Sequence, residues 1–186
     1  MNTPEKIAQS YLRLNGFFTI PHFTILKENG GHIDLLAVRL GGCIEKVGVD
    51  SNQRSLSIDD DLLSKLGVNE DETIGLIIEI KGGKNDSARV DELQFTYAKL
   101  FFGNINIIKK VGFENRTSLE ILTRNDHIII TLKYCMRFIK SRFRQLKSIK
   151  QEFRGRRLLS KEGSWTLWED FLSDLIYLEK LKPLDD

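Results

Sequence analysis

The stretch Ile74-Gly75-Leu76-Ile77-Ile78-Glu79-Ile80-Lys81, followed by Gly82-Gly83, decides how the rest of the chain is read. Successive side chains of a strand point to opposite faces, so Ile74, Leu76, Ile78 and Ile80 share one face while Gly75, Ile77, Glu79 and Lys81 share the other. A half-exposed strand is polar along one whole face. Here Ile77 is apolar and charge enters only at the C-terminal tip, which predicts a strand covered on both sides whose end reaches a cleft. An acid and a lysine at such a tip need a partner or an ion, because burying an unpaired charge is costly.

Working outward, the run His32-Ile33-Asp34-Leu35-Leu36-Ala37-Val38 follows the turn signal Glu28-Asn29-Gly30-Gly31, and the aromatic and β-branched stretch 17–26 precedes it. Together they predict a β-hairpin. Asp34 shares a face with Leu36 and Val38, so it points toward the core side and wants company. If this strand neighbours 74–81, the carboxylates of Asp34 and Glu79 converge on one point. Such hard oxygen ligands suit Mg²⁺ or Mn²⁺ far better than zinc, and Lys81 would stand beside the ion.

Thr3-Pro4 predicts an N-cap and a first helix over about 4–15, with Ile7, Ala8, Tyr11 and Leu12 at helical spacing. Residues 41–73 show no sustained period and are expected to form an insertion, with short strands near 43–49 and 55–58 and a short helix around 60–66. Asp86 or Ser87 is expected to cap a helix over about 88–102, and further strands are expected at 105–111 and at 119–123 or 127–132. A long two-faced helix is expected over 133–153. Thr166-Leu167-Trp168-Glu169 matches a capping box that opens a last helix. No repeat or linker divides the chain, so 1–186 reads as a single domain.

The order of helix, hairpin with Asp34, strand with Glu79-Ile80-Lys81 and helix resembles the PD-(D/E)xK nuclease superfamily over roughly residues 4–132. The resemblance implies an α/β, restriction-endonuclease-like αβββαβ core, a central mixed sheet flanked by helices, with the insertion at about 41–73 and helical additions over 133–182. It also implies that Asp34 and Glu79 bind Mg²⁺ (or Mn²⁺), that the backbone carbonyl of Ile80 joins them, and that Lys81 serves catalysis. Some members use a glutamate from the first helix, and Glu5 matches that position, although the helix macrodipole alone favours an acid there. Some carry a glutamine and a tyrosine on the helix after the Glu-x-Lys strand, as Gln94 and Tyr97 stand here, three apart rather than four. Gln94 would hold Lys81 or touch the substrate, or else sit structurally at the core's edge; His32, on Asp34's face, has the same two readings. Ile33 stands where the motif has proline. The implied activity is Mg²⁺-dependent hydrolysis of phosphodiester bonds in DNA, as an endonuclease in restriction, defence or DNA repair, with a homodimer as the arrangement many such nucleases use to cut two strands. The alternative is a catalytically inactive nucleic-acid-binding or protein-interaction domain of the same fold.

Composition fits that frame. With 186 residues, 41% hydrophobic and 29% charged, the chain suits one folded domain. Cys43 and Cys135 are far apart and His22, His32 and His127 lack metal-site spacing with them, which excludes a disulfide framework and a cysteine-based zinc site. The polar N-terminus and the lack of a run of about 20 apolar residues lead us to expect a cytoplasmic protein without a membrane span. Phosphate-binding glycine loops, a G-x-S-x-G elbow and H-E-x-x-H are absent. The net charge is +2, yet residues 133–161 hold 11 Lys and Arg against one acid. Local charge of this kind draws in polyanions. We therefore expect Arg137, Lys140, Arg144 and Lys147, a stripe along the basic helix, to contact nucleic acid together with Lys84 and Arg89 near the active strand; a solvated helix face is the plainer explanation.

Overall fold

A computed structural model describes residues 2–25, 31–42, 46–47, 54–55, 58–84 and 86–152, with the side chains of 46–47, 54–55 and 146–152 outside the description. In chain order the elements are α1 (Thr3–Arg13), β1 (Phe18–Thr24), β2 (His32–Arg39), β3 (Lys46–Val47), β4 (Arg54–Ser55), α2 (Asp60–Leu66), β5 (Ile74–Lys84), α3 (Glu92–Phe101), β6 (Ile107–Asn115), β7 (Ile121–Arg124), β8 (His127–Thr131) and α4 (Leu132–Glu152). Six strands make one mixed sheet in the order β1-β2-β5-β6-β8-β7, and β3 pairs with β4 apart from it. β1, β2 and β5 form an antiparallel meander, β5, β6 and β8 run parallel, and β7 returns antiparallel along β8.

The apolar stretch at 74–80 lies at the centre of this sheet and is covered on both faces, which is why its sequence does not alternate. Ile74, Leu76, Ile78 and Ile80 pack with Tyr11 and Leu12 of α1, Leu62 and Leu66 of α2, and Cys135 and Ile139 of α4. On the other face Leu36 and Ile77 pack with Val90 and with Ala98 and Phe102 from α3 and its end. The chain is thus an α/β protein with a six-stranded mixed sheet flanked by helices. Among the described residues no helix is long and apolar enough to cross a membrane.

Several expected boundaries move, each for a local reason. α1 is capped by Asn2 rather than Thr3, because the side chain of Asn2 accepts the Glu5 N–H at 3.0 Å while the Glu5 carboxylate accepts the Asn2 N–H at 3.1 Å. Only Asn2 has an acid three residues on to complete that reciprocal box. α3 starts at Glu92, not near 88, capped by Asp91 with Gln94 in the same kind of box. Residues 86–91 instead cross the sheet without helical structure, burying Ala88 and Val90. The expected alternatives at 119–123 and 127–132 both form, as β7 and β8, joined through Asn125 at φ 53°. Part of the supposed insertion belongs to the core: α2 buries Leu62, Leu63 and Leu66, and its cap Asp59 accepts the hydroxyls of Tyr11 at 2.7 Å and Tyr134 at 3.0 Å. Cys43 and the expected last helix from Thr166 lie outside the described residues.

The crossing segment needs Gly112 on β6. A Cβ there would stand 2.6 Å from the Ala88 carbonyl oxygen, so a side chain would push the segment off the sheet. Gly112→Ala is expected to destabilise the fold by about 1–3 kcal/mol, as read from urea unfolding.

Lys110, also on β6, has its side chain only 6% exposed and is bound by the carboxylates of Glu92 and Asp126. The Lys110 ammonium holds the Asp126 carboxyl down to about 2. Because that lies below the ordinary value of 3.8, the pair contributes stability above pH 3.8 and loses it as the pH falls toward 2. The stability gap between wild type and Lys110→Met, followed by urea unfolding, should therefore narrow across that window; a gap independent of pH would show that the ion pair contributes nothing.

Candidate active site

β2 pairs with β5 through Leu36 against Ile77 and Leu35 against Ile78. One more step sets Asp34 opposite Glu79, on the face that carries α3. There the main-chain ladder gives way: instead of meeting β2 backbone, the Ile80 N–H donates to Asp34 Oδ2 at 2.7 Å. Two residues apart on β5, Lys81 Nζ donates to Glu79 Oε1 at 2.5 Å. The side chains of Asp34 and Glu79 are 10% and 12% exposed, those of Lys81 and His32 41% and 70%. Two carboxylates therefore form a floor and two basic groups a rim, at the C-terminal end of a strand in a parallel run, where open α/β sheets place ligands.

Burial pushes the Glu79 carboxyl up, the Lys81 ammonium pulls it back, and the negative charge of Asp34 adds to the rise. The Lys81 ammonium is in turn held above its ordinary value, chiefly by its hydrogen bond to Glu79, with Asp34 and Asp86 contributing through charge. The floor carries more negative charge than one ammonium offsets.

His32 comes close to this group, its Nε2 lying 3.4 Å from Asp34 Oδ1. Gln94 arrives from α3, where its Nε2 donates to the His32 carbonyl at 3.0 Å and its Oε1 accepts the Asp91 N–H; it supports the strand that carries Asp34 rather than holding Lys81. Tyr97 is partly buried on the same helix. Glu5 stands next to Pro4, which packs against Gly82 just past Lys81. Its oxygens serve the Asn2 cap, and Oε2 also lies 3.6 Å from His22 Nε2. Lys84, at the end of β5, and Arg89, in the 86–91 segment, are exposed, while Arg137, Lys140 and Arg144 lie along α4; the Lys147 side chain is outside the description.

Three residues near the site carry no signal for it that the sequence reading used. Asp86, expected only as a helix cap, is a third carboxylate whose charge acts on Lys81. Glu114, paired in register with Lys81, is fully buried and accepts the Ala88 N–H at 3.0 Å, with its other oxygen bound by Arg116. An acid ending the apolar run Val111-Gly112-Phe113 was the available signal, the same one that marks Glu79. His22 takes a left-handed φ of 54° at the β1 position the ladder skips, opposite Asp34; the side chain of a non-glycine residue is rarely held there without a compensating contact, and Glu5 supplies one.

Among the described residues no group of three or more His, Cys, Asp or Glu side chains is arranged to hold a metal ion. Mg²⁺ does not require one, since it is commonly bound by one or two carboxylates with water and substrate phosphate completing the shell. The donor set here, two buried carboxylates with excess negative charge, fits a hard divalent cation. Comparison with known proteins adds no relative: no family profile, curated protein or solved structure matches the chain.

The hydrogen bond to Ile80 separates structural from chemical roles of Asp34. Asp34→Asn keeps an acceptor for that N–H and should melt close to wild type, whereas Asp34→Ala leaves a buried donor unpaired and should cost about 1–3 kcal/mol. Both should lose Mn²⁺ binding measured by titration calorimetry; Mn²⁺ bound equally by wild type and Asp34→Asn would remove Asp34 from the ligand set.

Proposed function

We propose that the chain is a Mg²⁺- or Mn²⁺-dependent nuclease of restriction-endonuclease-like fold that hydrolyses phosphodiester bonds in DNA, acting as an endonuclease in restriction, defence or repair. The observation that carries this reading is the meeting of Asp34, Glu79 and Lys81 at the end of β5. The order α1-β1-β2-β5-α3-β6 supports it, since it follows the αβββαβ sequence that the family resemblance implies.

Asp34 and Glu79 would hold the ion. In a strand the N–H and C=O of one residue face the same edge, so the Ile80 carbonyl is directed to the side on which its N–H meets Asp34. When bound, a divalent cation lowers the pKa of a water and neutralises charge on the phosphate. The residues of the chain do the rest. Lys81 offers a positively charged donor at the rim, within the reach of Glu79, and can stabilise charge that develops on a phosphate oxygen during hydrolysis. The hydrogen bond to Glu79 and, more weakly, the charge of Asp86 favour that ammonium's charged form. Gln94 keeps the start of β2 in place through the His32 carbonyl, and Glu114 keeps the 86–91 segment against the sheet.

The purified protein is expected to cleave supercoiled and linear DNA with Mg²⁺ or Mn²⁺ and not with EDTA. Lys81→Ala and Asp34→Asn should each lower turnover by about 10²-fold or more, with unchanged circular dichroism. DNA binding without cleavage under any divalent ion would select the alternative, an inactive nucleic-acid-binding domain of this fold. Full activity in both variants would place the chemistry elsewhere in the molecule.

A further inference from the structure

A concavity of about 410 Å³ lies between α4 and the connection from β6 to β7. Lys133, Arg137, Lys140 and Arg144 line it together with Leu119 and Met136, and no acid is among its described lining residues. Lys133 and Arg144 stand eleven residues apart on one helix, so the four cations extend over about 16 Å at 1.5 Å per residue. A free phosphate would not need such a length.

We propose that this groove binds a single-stranded nucleic acid, with phosphates along the cationic stripe and an unpaired base or sugar against Leu119 and Met136. The volume is in the range of small-ligand pockets and is larger than a row of phosphate contacts requires. Its exposed apolar lining is Leu119, 43% exposed, beside the buried Met136, which suits the unstacked face of a base rather than the paired edge of a duplex. The Arg137 guanidinium stands 5.2 Å from the Tyr134 ring, so one cation of the stripe is already oriented. A membrane surface fits less well. Among the described residues of α4 the apolar side chains are turned to the core, with Tyr134, Cys135 and Ile139 buried and Phe138 and Phe143 packed against them. Topology adds a reason to connect the groove with the carboxylates: α4 follows directly from β8, which runs parallel to β6 and β5, so Lys133 begins the stripe at the sheet end where Glu79 and Lys81 lie.

Binding at the groove requires neither a metal nor Asp34, so it is tested apart from cleavage. The full chain is titrated in EDTA with a fluorescent oligonucleotide, single-stranded or annealed to its complement, and anisotropy is followed over a series of salt concentrations. The single strand should bind more tightly than the duplex. Arg137→Ser/Arg144→Ser should weaken single-strand binding and reduce the log–log salt slope by roughly 1.4, that is about 0.7 for each phosphate left without its arginine. Leu119→Ser should weaken single-strand binding several-fold and leave the slope unchanged. Lys65→Ser/Lys99→Ser, which removes the same charge from exposed positions on α2 and α3, should change neither; circular dichroism shows that each variant is folded. A slope unaltered in the arginine variant, equal affinity for duplex, or the same weakening in the lysine control would overturn the groove. A chain that binds in this way but never cleaves DNA would overturn the nuclease reading alone.

Discussion

The hydrogen bond from the Ile80 N–H to the Asp34 carboxylate is the constraint around which the site is organised. It forms where the β2–β5 ladder ends, so a side chain takes over a duty that the backbone had met for the preceding residues. A buried carboxylate is tolerable only with donors or cations near it. Asp34 has one donor from β5 and the His32 ring close to its other oxygen, and this requires that β2 lie beside β5 in one particular register. A slip of one residue would turn Asp34 to the opposite face, into the core formed by α1, α2 and α4. The apolar residues on both faces of β5 keep that register, and the charge at its tip depends on them.

The same logic explains why the 86–91 segment departs from its local pattern. Asp86, Ser87 and Asp91 are all competent helix caps, and local sequence does not rank them. The choice falls to tertiary contacts. Ala88 and Val90 find a place on the sheet over Gly112, and Glu114 accepts the Ala88 N–H, so the chain stays extended until Asp91, where Gln94 completes a reciprocal cap. Glu114 lies 26 residues from Ala88, beyond the reach of any local pattern. One outcome reaches the candidate site: Asp86, freed from a capping role, adds its charge to the surroundings of Lys81.

What is legible in the sequence has a short period or a sharp boundary. β5 can be read from its two apolar faces and charged tip, the hairpin from its turn and alternation, and α4 from the separation of Ile139 and Phe143 from Arg137, Lys140 and Arg144. α2 is legible as a helix but not as core, because seven residues carry too little pattern to show that Leu62, Leu63 and Leu66 are packed against α1 and the sheet. Glu5 shows the reverse difficulty. Its place in the first turn fits a family role and a local electrostatic one equally well, and the structure gives its oxygens to Asn2 and His22. The strained backbone of His22 leaves no mark in sequence beyond the preceding Pro21.

Two opposite electrostatic demands are met in different parts of the fold. On the proposed reading, carboxylates that hold a cation would repel a phosphate polymer, while cations that hold that polymer would compete with the metal if they stood among the carboxylates. The sheet itself keeps the two groups apart, since Asp34 and Glu79 lie on the face that carries α3 while α4 packs on the other face. A near-neutral net charge of +2 conceals this division. A polyanion long enough to lie along the α4 stripe can extend toward the end of β5, where Lys81 is the cation left at the rim of an otherwise acidic floor. On the proposed reading this gives Lys81 a second duty beside its pairing with Glu79, since it would lower the repulsion a phosphate meets on approaching Asp34 and Glu79.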